Sequence, residues 1–365
     1  MGAFMRRVAL LAMMALLPLG CLRVSESRAE RDREVGHTEA YGMKVDVDDG
    51  LAAVRSIAPG SLELWAGGPS LDIALRRDQS SPYVWTLGLH NCLPDAELTV
   101  DDEAVSRPRS ILPTRCVWTF PLPPDRQVRL RVRSPRADIE APFHFGILSD
   151  IQRAVTEVSD IFDLMNEAGD LSFVVSTGDL TNHGQAGEFD FLQQQLERLN
   201  IPFFTTLGNH ELGGSPVEFH DWFGRGNFHF EFRGVHFTLL DSASGTLDPI
   251  VYDWLDDWLA QGRDHLHVVG MHIPPLDPVG LRNGGFASRN EAAKVLARLA
   301  DGGVDLTFYG HIHSYYRFQN AGIEAHISGG GGGLPEQFDG IGRHYLNVEA
   351  DPRVGTLSTR VVPVD

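Results

Sequence analysis

The sequence predicts an α/β domain preceded by a small all-β sandwich, and three observations carry that expectation. From Met43 to Ile139 the apolar runs are short and broken by Pro and Gly, as in a sandwich of short strands. After Pro142 strand-like runs alternate with stretches of helical periodicity, the mark of a layered α/β arrangement. Five apolar runs in that second half also end in Asp, Asn, Gln or His. In α/β sheets the active site forms at the carboxyl ends of strands.

In chain order, Arg6 and Arg7 precede an apolar run from Val8 to Leu19, too short to span a bilayer as a mature helix. Residues 1–21 read as a signal peptide whose close resembles a lipoprotein signal, with Cys21 as the lipidated residue. The chain is then expected to be exported, periplasmic or at the cell surface, and lipid-anchored to a membrane. A plain signal peptide cut after Ala29 is the alternative. Residues 22–42 are polar and charged and read as a flexible, solvated tether.

Residues 43–140 form the expected β-sandwich, with runs at Leu62–Trp65, Leu71–Leu75, Tyr83–Leu87, Ala96–Val100, Cys116–Phe120 and Gln127–Arg133. In the last, Val128, Leu130 and Val132 alternate with Arg129, Arg131 and Arg133, so one face is apolar and the other wetted. With Cys21 set aside, Cys92 and Cys116 are the remaining thiols, and in an oxidising compartment they are expected to pair, with two buried free thiols as the alternative.

Residues 141–365 are the expected catalytic domain. Phe189, Leu192, Leu196 and Leu199 share a helical face. Asp248-Pro249 reads as a helix start ahead of a stripe of Val251, Trp254, Leu255 and Trp258. Ser288 and Glu291 read as a capping box ahead of Ala292, Val295, Leu296 and Leu299. Phe228 to Leu240 reads as a hairpin turning at Arg233-Gly234, and Gly329 to Gly333 as a turn or a wall where backbone packs closely. This half carries most of the net charge of −18, and such an acidic surface repels a polyanion. No nucleic-acid partner is expected, and no protein partner is identified.

The five polar strand ends supply Asp150 and Gln152, Asp179, Asn209 with His210, His272, and His311 with His313. Carboxylate and amide oxygens mixed with imidazole, without thiolate, suit first-row divalent ions. Seven donors exceed the needs of one tetrahedral ion and fit two ions sharing a carboxylate, an arrangement able to clamp a phosphoryl group.

The order Asp-x-Gln, Gly-Asp-x-x-Asn, Gly-Asn-His-Glu, Gly-Met-His and Gly-His-x-His resembles the calcineurin-like metallophosphoesterase superfamily. The resemblance implies a four-layer α/β sandwich and a dinuclear centre of Mn, Fe or Zn. It places Asp150, Gln152, Asp179 and His313 on one ion, and Asp179, Asn209, His272 and His311 on the other. It makes His210 the catalytic residue beside the leaving oxygen. Two departures stand out. Gln152 occupies a position where the family usually has His, so the first ion should be held more weakly. Asn182 stands where purple acid phosphatases carry Tyr, so no tyrosinate colour is expected.

The implied function is a dinuclear phosphoester hydrolase, in which a metal-bridged hydroxide attacks a small phosphomonoester or phosphodiester. The alternatives are a phosphodiesterase for cyclic nucleotides or glycerophosphodiesters, and a catalytically silent binding module of the same fold. His183 and Arg317 are candidate substrate contacts.

Overall fold

The computed structural model describes residues 24–106, 109–214, 217–280, 284–336 and 341–364; the signal segment and Cys21 lie outside them. Two β-sheets make up the N-terminal half. One has six strands, ordered His37–Ala40, Met43–Val47, Leu71–Arg77, Gln127–Arg133, Glu97–Val100 and Glu103–Ala104. The other has five, ordered Ala52–Ala58, Ser61–Ala66, Val84–His90, Arg115–Pro121 and Arg109–Leu112. The alternation in Gln127–Arg133 works as its pattern requires: Val128, Leu130 and Val132 are buried, while Arg131 and Arg133 bond Asp72 on the wetted face. Trp85, Trp118, Leu64 and Leu87 fill the space between the sheets.

Cys92 and Cys116 meet in this core with their Sγ atoms 3.2 Å apart. They stand there as two buried thiols rather than the expected bond. The hydrogen bond to Cys116, together with burial, pushes the Cys92 thiol up.

The second half is a four-layer sandwich. Phe203–Thr205, Leu171–Ser176 and Phe143–Leu148 run parallel, and the antiparallel hairpin His344–Asp351 with Thr356–Pro363 completes that sheet. The facing sheet is ordered Phe228–Phe232, Val235–Leu240, Leu266–Met271, Leu306–Tyr309, Ile323–Ser328 and Tyr315–Asn320. Between the sheets lie Phe143, Phe145, Phe173, Phe230, Phe232 and Phe237, in a mixture of edge-to-face, tilted and stacked pairs; Phe145 and Phe237 meet edge to face at 88° and 5.1 Å.

Among the described residues there are six α-helices: α1 Val24–Glu34, α2 Ser159–Ala168, α3 Ala186–Leu196, α4 Phe219–Phe223, α5 Val251–Gln261 and α6 Arg289–Asp301. Helices α2 and α3 cover the outer face of the first sheet, with Phe189, Leu192, Leu196 and Leu199 buried. Helices α5 and α6 cover the second, with Ala292, Val295, Leu296 and Leu299 buried.

The α5 stripe differs from expectation. Its core residues are Val251, Tyr252, Leu255 and Leu259, whereas Trp254 and Trp258 sit at the margin. Both indoles have partners there: Trp254 lies under Arg225 at 4.7 Å, and Trp258 stacks on His229. Ser288 caps α6 as expected, but the Glu291 carboxylate reaches across to Thr246 and the Leu247 N–H.

The flexible tether expected over residues 22–42 is corrected by the structure for the described part, residues 24–42. Helix α1 packs into the second half, with Arg28, Ala29 and Asp32 buried. Arg28 bonds Asp241, and Asp32 accepts hydrogen bonds from the N–H groups of Gly226 and Asn227 and from the Asn227 amide. Charged composition reads as solvated when partners lie about two hundred residues away in the chain. Here those partners are internal.

Candidate metal centre

Five strand ends deliver the seven candidate ligands to one place. Phe143–Leu148 leads to Asp150 and Gln152, Leu171–Ser176 to Asp179, and Phe203–Thr205 to Asn209. Leu266–Met271 leads to His272, and Leu306–Tyr309 to His311 and His313. The backbone turns sharply at these ends: Asp150, Gln152, Asp179 and His311 have φ of 61°, 48°, 53° and 69°. Non-glycine residues are seldom found there, and they persist where surrounding structure imposes the conformation. Close packing imposes it here. A Cβ on Gly208 would run into the Asp179 carboxylate, and one on Gly310 into Ser149 and Asp150. The glycine run straps the same loop from the other side, with Gly331 N–H donating to the Ser149 carbonyl at 2.8 Å and Gly333 N–H to that of Asp150 at 2.7 Å.

Two triads result, Asp179 with His272 and His311, and Asp150 with Asp179 and His313. In each, one ligand atom per residue lies within 4.8 Å of the others, and Asp179 belongs to both. Asn209 Oδ1 stands 2.8 Å from His311 Nδ1 and 3.1 Å from His272 Nε2. His272 donates from Nδ1 to the Thr177 carbonyl at 3.0 Å, and His313 from Nδ1 to the Leu334 carbonyl at 2.8 Å. Those bonds leave each Nε2 lone pair turned to the centre, the tautomer a metal requires. Gln152 enters with its amide nitrogen 2.9 Å from Asp179 Oδ2 and 3.1 Å from His313 Nε2. A half-turn of the amide would present its oxygen at that position instead.

The donor chemistry fits two divalent cations: hard oxygens, oriented imidazoles and one shared carboxylate. The electrostatics point the same way. Burial would raise the Asp179 carboxyl, but the imidazoles of His272 and His210 outweigh it and hold it well below the usual range. Burial would lower His272, but Asp179, 3.2 Å from Nε2, pushes it up to about 9. A buried anionic pocket that draws protons onto its ligands is one that a cation can neutralise.

His210 stands at the edge, its side chain 31% exposed. It donates from Nδ1 to the Asn182 carbonyl at 2.7 Å, and its Nε2 is 3.8 Å from Asp179 Oδ2. His183 is 68% exposed beside Glu188, and no bond ties it to the ligands. Arg317 lies on the edge strand Tyr315–Asn320, paired with Glu324 at 3.0 Å, rather than turned to the centre as expected.

Glu211 had no role assigned from sequence. Fully buried, its Oε1 accepts from Thr181 N–H and O–H at 3.0 and 3.1 Å, and its Oε2 from Gly208 and Asp179 N–H at 2.8 and 2.9 Å. Burial and the neighbouring Asp179 charge push this carboxyl up to about 8, against four donors that favour the anion. It joins the Asp179 loop to the Asn209 loop. The available signal was its place three residues after Gly208 on a turn full of unpaired N–H groups.

A match to the calcineurin-like phosphoesterase family covers residues 143–315. A 3',5'-cyclic-nucleotide phosphodiesterase from Nostoc sp. is 27% identical over 164 residues, 42% of this chain and 60% of that protein. A probable glycerophosphodiester phosphodiesterase from Arcobacter nitrofigilis is 25% identical over 114 residues, 28% of this chain and 42% of that protein. The chain thus spans less than two thirds of either relative. The solved structure of PhoD overlaps 81% of this chain and 86% of its own at 11% identity, with a TM-score of 0.46. With five ligand-bearing strand ends, two triads sharing Asp179 and that match, residues 143–315 belong to the calcineurin-like phosphoesterase family.

Proposed function

We propose that the protein is a dinuclear metal-dependent phosphoester hydrolase, with small phosphodiesters as its favoured substrates. The observation that carries the reading is the shared Asp179 between two triads, with His210 held at their open edge. Two cations held by Asp150, Gln152, Asp179, Asn209, His272, His311 and His313 would polarise a phosphoryl oxygen and lower the pKa of water. The chain's own residues do the rest. Thr177 and Leu334 carbonyls fix the rings of His272 and His313, and Glu211 holds the Asp179 and Asn209 loops in register. The Asn182 carbonyl holds His210 by Nδ1, so that as imidazolium it carries a proton on Nε2 for the departing oxygen. The preference for diesters rests on the names of the two relatives. An exported, lipid-anchored location, read from residues 1–21, belongs to the same proposal.

The test is turnover of bis-p-nitrophenyl phosphate against p-nitrophenyl phosphate, with metal counted on the same sample. The expected result is about two ions per chain and faster diester cleavage, abolished by chelator. His210→Ala should lower kcat by roughly 10²–10⁴-fold with metal content unchanged. A metal-replete protein that turns over neither ester, before or after that substitution, would instead be a silent binding module.

A further inference from the structure

Beside the metal ligands the second sheet ends on a side chain rather than on backbone. Val235–Leu240 and Leu266–Met271 pair in parallel as far as Leu240 and Met271, and His272 follows directly. Beyond Leu240 the chain turns away on Asp241, whose Oδ1 accepts from the Ala243 N–H at 3.0 Å. Ser242 then takes over the ladder. Its Oγ accepts from the Ile273 N–H at 2.8 Å and donates to the Ile273 carbonyl at 3.0 Å. One wholly buried hydroxyl thus makes both bonds that a paired strand residue would make.

The bracketed residue is the one that follows His272. The Thr177 carbonyl sets the His272 ring, but the backbone that carries the ring needs its own anchor. Glu211 supplies one for the loops of Asp179 and Asn209, and the glycine run straps that of Asp150. Ser242 does the corresponding work at the strand end of His272, together with the Gly310 N–H, which donates to the His272 carbonyl at 3.0 Å.

What fixes Ser242 comes from the other end of the chain. The Arg28 guanidinium of α1 bonds Asp241 and also reaches the Ser244 hydroxyl at 3.2 Å, so the helix grips the turn on either side of Ser242. Arg28, Asp241 and Ser242 are all buried. Groups that orient a metal ligand without touching the ion change its affinity by about 10–100-fold when removed. We propose that Ser242 is a positioning residue for His272, set by α1 through Arg28 and Asp241, so that the N-terminal helix governs how tightly one cation is held. That cation is the one given to Asp179, Asn209, His272 and His311, an assignment that rests on the dinuclear reading.

The test follows metal per chain by atomic emission as chelator is raised, for the full chain unaltered and as Ser242→Ala or Ser242→Cys. Cysteine stays close to serine in size with a weaker donor and acceptor, and it carries the test if the alanine variant does not fold. A third variant, Arg28→Met with Asp241→Leu, removes the carboxylate without stranding a buried charge, so stability is largely kept. In all three, loss of the tighter ion is expected at roughly ten-fold lower chelator, with loss of the looser ion unmoved. A support of the fold alone would loosen both ions in step with the thermal midpoint. Ser242 variants that keep the tighter ion as the unaltered protein does, or lose both ions together, overturn the role of Ser242. A double variant with the tighter ion unmoved overturns the part given to α1. An unaltered protein that takes up no metal sinks the dinuclear reading, and the role of Ser242 with it.

Discussion

Arg28 Nε donates to Asp241 Oδ2 at 2.5 Å, and the two side chains are only 1% and 3% exposed. A second guanidinium nitrogen reaches Asp241 Oδ1 at 3.0 Å, so the pair is bidentate. Asp241 follows the strand Val235–Leu240, and the contact ties α1 to the carboxyl edge of the second sheet. Removing one partner of a buried pair strands the other charge. Arg28→Ala should therefore cost about 3–5 kcal/mol in urea unfolding, and the double change Arg28→Met with Asp241→Leu should recover most of it. Cleavage after Ala29 would remove the same arginine, so N-terminal sequencing of processed protein should find its first residue ahead of Arg28.

Gln152 offers the triad of Asp150, Asp179 and His313 an amide where an imidazole would bind a first-row ion more tightly. Stepwise dialysis against chelator should strip one ion well before the other. Gln152→His should close that gap, read as metal per chain by atomic emission. Equal loss of both ions from the unaltered protein would refute the assignment.

Glu211 accepts four hydrogen bonds and donates none. Glu211→Gln keeps its shape but sets an amide NH₂ against donors that need an acceptor. Above pH 8, where the carboxyl is ionised, the expected loss is about 3 kcal/mol of stability, with weaker metal retention. A thermal midpoint and metal content matching the unaltered protein would show that the carboxylate is not what joins the two loops.

His229, His236 and His267 pack together under α5. His229 Nε2 is 2.9 Å from His236 Nδ1, and His267 Nε2 is 2.8 Å from the Thr238 hydroxyl. His265, Glu231 and Asp305 are the titratable neighbours. Burial lowers His229 and His267 from 6.5 to about 3, and lowers His236 as well. Between those values the unfolded chain binds protons that the folded chain refuses. Stability should thus be full above pH 6.5 and fall toward pH 3, by on the order of 2 kcal/mol at pH 5 for each of His229 and His267. Urea unfolding at pH 7 and 5 measures the slope, and the double change of both residues to Gln should flatten it.

The metal centre was legible because each ligand follows an apolar run, and Asp179, Asn209, His272, His311 and His313 also follow a glycine by one to three residues, as at Gly208-Asn209 and Gly310-His311. The alternation of strand and helix pointed to a layered α/β domain, and the number of layers came from the resemblance to calcineurin-like metallophosphoesterases. Helix α1 was not legible, since the worth of Arg28 and Asp32 depends on Asp241 and Asn227, far along the chain. The Thr356–Pro363 strand was missed because its residues are half exposed and carry no clear apolar stripe. Arg317 follows the last motif closely in sequence, yet extended backbone carries it off along the sheet edge to Glu324.

Because Asp179 is common property of both triads, the two halves of the centre cannot drift apart independently. A change at that carboxylate is felt twice, whereas His311, His313 and Gln152 each touch one side alone. A change that retunes one side while sparing the other is therefore open at any ligand that belongs to one triad alone, Asp150 and His272 included.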